Sequence, residues 1–485
     1  MAVCSLLLAA ACLFCAFLPS CAEKEQENNK RTEEALADNY LDTYLPNETY
    51  DGASLGMVGG GDTRMKPEDE ENAEPVHDAI FRRNAKIQEK FDVAFDYTQT
   101  DGDGQTQEKV ASAVLAGEHI YDLVYGSFSN VGTYMVTNTL AMSADNIPYL
   151  NLSEKWWSQD CTGQLAINGK TVFLTGMIAY QHYLDGTCLF FNKSITADRG
   201  IDNHFDDVRS YRWTLDKMYD NMKLAAHDDN GDTVMDGNDT WGYVGGDRCG
   251  FNFMFATGVR IVEFDEFNVP WIIRSVSKET VAKVEKICSM LSNRRYSAIY
   301  GQPNCENTGS SFVSGKALYT EGLCQDGAAS YRPANFYDFG IIPTPMWNEA
   351  QGQYYTWSNS WRSGGIFFPV CCNKEELTGV ITEALAYQSS VDGGVYYAVL
   401  EKYIKGKGTY DYDSEEMIDL ILSTKFYDLG SLFWWNISFV VNDACLDVWN
   451  SSGAPRAHLS SLWIGRATSS HNSCRKVVHQ WDALP

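Results

Sequence analysis

Nothing in this sequence offers a basic surface. Its 485 residues carry 38 Lys plus Arg against 64 Asp plus Glu, a formal charge of -26, and no run of clustered cations. Nucleic-acid binding needs such clusters to displace counterions from phosphates, so that class is excluded. None of the eight histidines belongs to a His-Glu-x-x-His helix, which removes the usual zinc-hydrolase signature. Beyond residue 21 no Cys-x-x-Cys pair occurs, and Cys371 and Cys372 are adjacent, which suits neither a zinc ribbon nor a redox motif. No repeat of 20 to 50 residues is evident, so a solenoid is not expected. Gly52 to Gly56 matches Gly-x-Ser-x-Gly, yet it leads into a strand rather than joining a strand to a helix, so it is no nucleophile elbow.

The composition that remains is 44% hydrophobic, 13% aromatic and 21% charged, as in folded globular chains. The length exceeds what one core usually serves and predicts two lobes. Residues Ala2 to Leu18 form an apolar stretch, too short for a membrane span of about 20 residues, that closes at Leu18-Pro19-Ser20-Cys21. It is similar to a bacterial lipoprotein signal, with Cys21 as the lipidated mature N-terminus. Residues 22–40 are charged and nearly free of large apolar groups, and are expected to form a flexible tether.

From Leu41 onward the pattern becomes periodic. Leu55 to Val58 predicts a strand followed by Gly59-Gly60-Gly61. Val76, Ile80, Ile87 and Phe91 recur at helical spacing, and Val93, Phe95 and Tyr97 alternate as a strand. A second helix runs from Gln105 to Ala116, with Gly117 at the left-handed stop, before an apolar strand over Ile120 to Tyr125. This β-α-β-α-β order predicts an α/β fold with an open, mostly parallel sheet flanked by helices. Ligands bind beyond the C-terminal ends of such strands, which singles out Gly60, Gly61, Tyr125 and Ser127. A hinge is expected around Tyr180 to Asp185, and Thr214 is expected to cap a helix carrying Leu215, Met218 and Met222.

Asp228 to Asp239 has calcium-loop spacing. Asp228, Asn230, Asp232, the Val234 carbonyl, Asp236 and Asp239 stand where such a loop places its oxygens, although Thr233 replaces the usual glycine and Asp239 the longer glutamate. A structural Ca2+ is the expectation. Aromatic clusters at Trp156-Trp157, Trp357, Trp361 and Trp434-Trp435 suit stacking on sugar rings.

Several segments, in order, carry a family likeness: Tyr50-Asp51-Gly52, Ala79 to Asn84, Tyr121 to Val124, Leu150 to Trp157, Phe191-Asn192-Lys193, Trp213 to Asp216 with its acidic loop, and Gly340 to Pro345. In these the chain resembles the extracellular solute-binding proteins of ABC transporters, family 1, related to maltose-binding protein. The resemblance implies a two-lobed, type II periplasmic-binding-protein-like fold, with residues 41–180 and 363–405 in the N-lobe and 181–362 and 406–485 in the C-lobe. It implies no catalysis, an extracellular protein lipid-anchored to the membrane, capture of a mono- or oligosaccharide, and delivery to ABC permease subunits. It also implies ligand contacts from Gly60, Gly61, Tyr125, Ser127, Tyr180, Glu321, Trp357, Trp361, Trp434 and Trp435. Leu323 and Cys324 stand where maltose binders have a stacking Trp, which speaks against malto-oligosaccharide specificity. A secreted glycoside hydrolase, and a sugar sensor or adhesin on the same scaffold, are the alternatives.

Overall fold

A computed structural model describes residues 40–60, 70–246, 248–273, 276–299, 308–334, 337–433, 440 and 459–485. The expected signal with Cys21, residues 22–39 of the expected tether, and Gly61, Trp434 and Trp435 lie outside the described residues, while Tyr40, the last residue of that tether, packs on the folded body with its hydroxyl donating to Glu383 Oε1 at 2.9 Å. No helix among the described residues is long and apolar enough to cross a membrane.

The strands, in chain order, are β1 (Ala53–Gly60), β2 (Val93–Thr100), β3 (Leu123–Ser127), β4 (Ala141–Met142), β5 (Thr187–Asn192) and β6 (Trp241–Gly245). There follow β7 (Val262–Phe264), β8 (Pro270–Ile272), β9 (Ser297–Ile299), β10 (Ala317–Leu323), β11 (Phe339–Ile342), β12 (Thr356–Trp357), β13 (Gly364–Pro369) and β14 (Lys425–Phe426). They build two five-stranded sheets, ordered β2-β1-β3-β13-β4 and β11-β5-β10-β6-β9. Each sheet is the floor of one lobe.

Local sequence explains the first lobe. The helix Pro75–Phe91 starts with proline in its first turn, is capped by Glu74, which accepts from His77 N at 2.8 Å, and buries Val76, Ala79, Ile80, Ile87 and Phe91 along one face. The helix Asp103–Ala116 ends at Gly117, whose φ of 67° is the left-handed stop a glycine takes without strain. These two helices join β1, β2 and β3, which pair in parallel. Thr214 caps the helix Leu215–Ala225 by accepting from Lys217 N at 3.3 Å.

The sheets are mixed rather than mostly parallel. Every antiparallel pairing in them involves β13 or β5, the strands that enter each lobe from the other one. A strand arriving from across the hinge meets the C-terminal ends of its new neighbours and therefore runs against them.

Two crossings lie side by side. Leu174 bridges Ile366 in the N-lobe, and Gly186 bridges Ser358 at the entry to the C-lobe. Between them sits a sealed ion pair: Lys425 meets Asp185, with side chains 1% and 0% exposed. Ser363 and Ser358 also donate to Asp185, the latter at 3.3 Å, and His182 Nδ1 meets the Tyr427 hydroxyl at 2.7 Å. Burial raises the Asp185 carboxyl while Lys425 pulls it back down, and burial holds His182 well below its usual value.

The last helix, Leu459–Asp482, joins the lobes rather than belonging to one. Trp463 Nε1 donates to Ile273 O at 3.0 Å on the C-lobe side. Trp481 Nε1 donates to Lys170 O at 3.1 Å, and Ser143 N to Pro485 O at 3.0 Å, on the N-lobe. Indoles at both ends of one rigid helix reach both bodies, so the expected assignment of 406–485 to the C-lobe alone is corrected for this segment. Eight cysteines between Cys161 and Cys474 are buried thiols without disulfides among the described residues.

Candidate functional site

Strand polarity locates a cleft. In the N-lobe, the parallel β1 and β3 end at Gly60 and Ser127, and Gly364, where the second crossing ends, pairs with Ser127. In the C-lobe, the parallel β6 and β10 end near Gly245 and Leu323, and Leu323 pairs with Thr187, where the first crossing ends. Both sheets thus turn the C-terminal ends of their parallel strands toward the hinge, from opposite sides. That is where open α/β sheets bind ligands.

A cleft of about 540 Å³ occupies the C-lobe side of this place, with Glu321, Arg248, Asn252, Asp326, Trp361 and Arg362 on its walls. Glu321 projects from the end of β10. Its Oε1 accepts from Gly246 N at 3.0 Å and its Oε2 from Asn252 Nδ2 at 2.7 Å, so two neighbouring elements fix its orientation. Asp326 accepts from Leu323 N at 2.8 Å, and burial pushes its carboxyl above the usual range. The Arg248 guanidinium lies 4.8 Å from the centre of the Trp361 ring.

Across the hinge, Ser127 Oγ donates to Asp103 Oδ2 at 2.5 Å, and Asn130 Nδ2 donates to the same oxygen at 3.0 Å. Phe128 N and Ser129 N donate to Ser363 O and Ser360 O, at 2.9 and 3.2 Å, fastening this edge to the second crossing. Gly60 is required by close approach: a Cβ there would stand 2.6 Å from the Gly102 Cα.

The expected contacts separate into groups. Glu321, Trp357 and Trp361 come together at the C-lobe wall. Gly60 and Ser127 occupy strand ends on the N-lobe side. Tyr125 and Tyr180, 8% and 2% exposed, pack into two different cores. Trp357 is itself 2% exposed, stacked on Phe251 at 5.5 Å, with Nε1 donating to Ser431 Oγ at 3.2 Å. It supports the floor more than it offers a face. Arg248, Asn252, Asp326, Arg362 and Asp103 were not read from the sequence. Recognising Trp241–Gly245 as a strand would have exposed the first two, because they follow its C-terminal end.

In the acidic loop the side-chain oxygens expected to hold calcium also accept from the loop's own amides. Asp228 accepts from Gly231 N and Thr233 N at 2.7 and 2.8 Å, and Asp239 accepts from Asp229 N and Asp236 N at 3.0 and 2.8 Å. Asn230 and Asp232 accept from Asp232 N and Val234 N, each two residues on, and Asp236 from Asn238 N. Among the described residues no three acidic, His or Cys side chains are grouped to hold a metal ion. These hydrogen bonds fold the loop and use one lone pair of each accepting oxygen.

No family model matches the chain, and no curated protein matches its sequence. Solved structures do match in three dimensions. An ABC substrate-binding protein of Listeria monocytogenes, in complex with cycloalternan, is 10% identical over 88% of this chain and 100% of its own, with a TM-score of 0.54. A cyclo/maltodextrin-binding protein complexed with maltotetraose is 13% identical over 88% and 97%, with a TM-score of 0.57. A sugar transporter of Rhizobium etli in an open conformation is 12% identical over 90% and 100%, also at 0.57. The fold of this chain is the two-lobed fold of the maltose-binding-protein-like solute-binding proteins.

Proposed function

We propose that this protein is the extracytoplasmic solute-binding subunit of an ABC uptake transporter, that it captures a carbohydrate, and that it performs no catalysis. The observation that carries the reading is the place of Glu321: a braced carboxylate on the C-lobe wall of a cleft that both sheets face with their strand ends. A carboxylate held by Gly246 and Asn252 accepts sugar hydroxyls in a fixed direction, as a polar group in a partly apolar site does. The named ligands of the structures sharing the fold are oligosaccharides in two cases, which supports the same class.

Capture follows from the hinge. A solute seated against Glu321 touches the N-lobe edge at Ser127 and Asn130 only when the lobes approach, so binding favours the closed arrangement by those added contacts. The closed form is what a permease would recognise. Export with a lipid on Cys21 would hold the protein at the membrane beside it.

Calorimetric titration with mono- and oligosaccharides tests the reading. Saturable binding of a saccharide with no turnover supports it, and binding of amino acids or peptides alone contradicts it. Hydrolysis of any glycoside by the pure protein would favour the glycosidase alternative.

A further inference from the structure

The two indoles at this cleft do not offer bare faces. Trp357 is buried against Phe251 and Phe255. The half-buried Trp361 carries the Arg248 guanidinium over its ring and packs edge-on with Trp357 and Phe251. A neutral pyranose stacking there would compete with a cation already in place.

The charges of the cleft are unequal in their engagement. Both oxygens of Glu321 accept protein N–H groups, and Asp326 accepts Leu323 N. Arg362 is exposed on the same wall, and among the described residues no hydrogen bond or ion pair holds its guanidinium. The two guanidiniums of the cleft balance the carboxylates of Glu321 and Asp326, but the donors of Arg362, which reaches Asp326 only through its field, are unengaged among the described residues. Distant surface carboxylates oppose an anion there weakly, since fields between exposed charges fade over about 8 Å at physiological salt.

We propose that the captured solute is an acidic saccharide whose anionic group pairs with Arg362, with Arg248 alongside, while its hydroxyls are read by Glu321 and Asn252. This deepens the capture reading above and rests on it. A guanidinium presents a planar fork of donors that matches two oxygens of a carboxylate, and equally of a sulfate ester.

The test is calorimetry on the intact protein with matched pairs: oligogalacturonides against their methyl esters, and a sulfated heparin-derived disaccharide against its desulfated form. The expected result is that one anionic member binds at least about 10-fold tighter than its neutral partner. Which pair responds tells carboxylate from sulfate. Arg362→Gln should abolish that ratio by weakening the anionic member, and leave the melting curve unchanged, because Arg362 is exposed. Neutral saccharides binding as tightly as their anionic partners, or a ratio insensitive to Arg362→Gln, would overturn the proposal and leave capture standing. Binding of no saccharide of either kind would overturn both.

Discussion

Two kinds of buried polar centre occur in this molecule, and they differ in what they face. Glu383, in the N-lobe helix Glu375–Ser390, accepts from Tyr40 OH, Trp156 Nε1 and Trp157 Nε1, each at 2.9 Å, and from Asn151 N at 3.2 Å. Asp185 at the hinge is sealed by Lys425 and two serines. Glu321 is also held by protein donors, yet it stands on the wall of an open cleft. Sealed carboxylates brace the fold. The same chemistry left open on one side is what the proposed capture uses.

That contrast breaks most visibly at the hinge. Lys425→Met strands the Asp185 carboxyl in a dry interior and should cost about 3–5 kcal/mol in urea unfolding. Asp185→Asn in the same chain should recover part of that loss. Glu383→Ala leaves two indoles and a hydroxyl without acceptors and should cost about 2–4 kcal/mol, with saccharide affinity unchanged in calorimetry. Glu321→Ala should reverse the pattern, changing stability by less than about 1 kcal/mol and weakening saccharide binding about 10-fold or more. A stability loss at Glu321 equal to that at Glu383 would erase the distinction.

A pH effect concerns a sealed histidine. His204, buried beside Tyr319, is pushed down to about 3 by burial. With its folded-state value below the unfolded 6.5, this group's contribution to stability is present above pH 6.5 and declines as pH falls from there toward 3. At pH 5 its share of the loss is about 2 kcal/mol. Its imidazole resonances should stay unmoved between pH 7.5 and 5 by NMR, whereas a midpoint near 6.5 would show the site to be wet.

The N-lobe was legible because its signals are local. Helical spacing and Gly117 each act within a few residues, and the structure has the helices and the stop they imply; Thr214 does the same for the C-lobe helix Leu215–Ala225. The third strand starts later than its apolar run, at Leu123, because Ile120 is half exposed before the chain enters the sheet. The apolar stretch from Thr171 to Ala179 forms no regular strand. It runs beside β13, with Leu174 bridging Ile366, Thr175 Oγ1 donating to Gly364 O at 2.9 Å and Phe173 edge-on to Phe367.

The site was less legible, since its parts converge from distant segments. Glu321 came from family likeness, whereas Arg362, just beyond the expected Trp361, went unread because nothing local marks a guanidinium as open. The calcium spacing of Asp228 to Asp239 was readable, and its side chains accept from the loop's own amides, as Asx-rich turns do.

The central claim is that two lobes close on a solute at the Glu321 wall. Spin labels at Glu108→Cys in the N-lobe helix Asp103–Ala116 and Asp220→Cys in the C-lobe helix Leu215–Ala225 sit on exposed positions, while the described native thiols are buried. Pulsed electron–electron distance measurement should show one shorter, narrower distribution once a bound saccharide saturates the protein. An unchanged distribution at saturation would contradict closure.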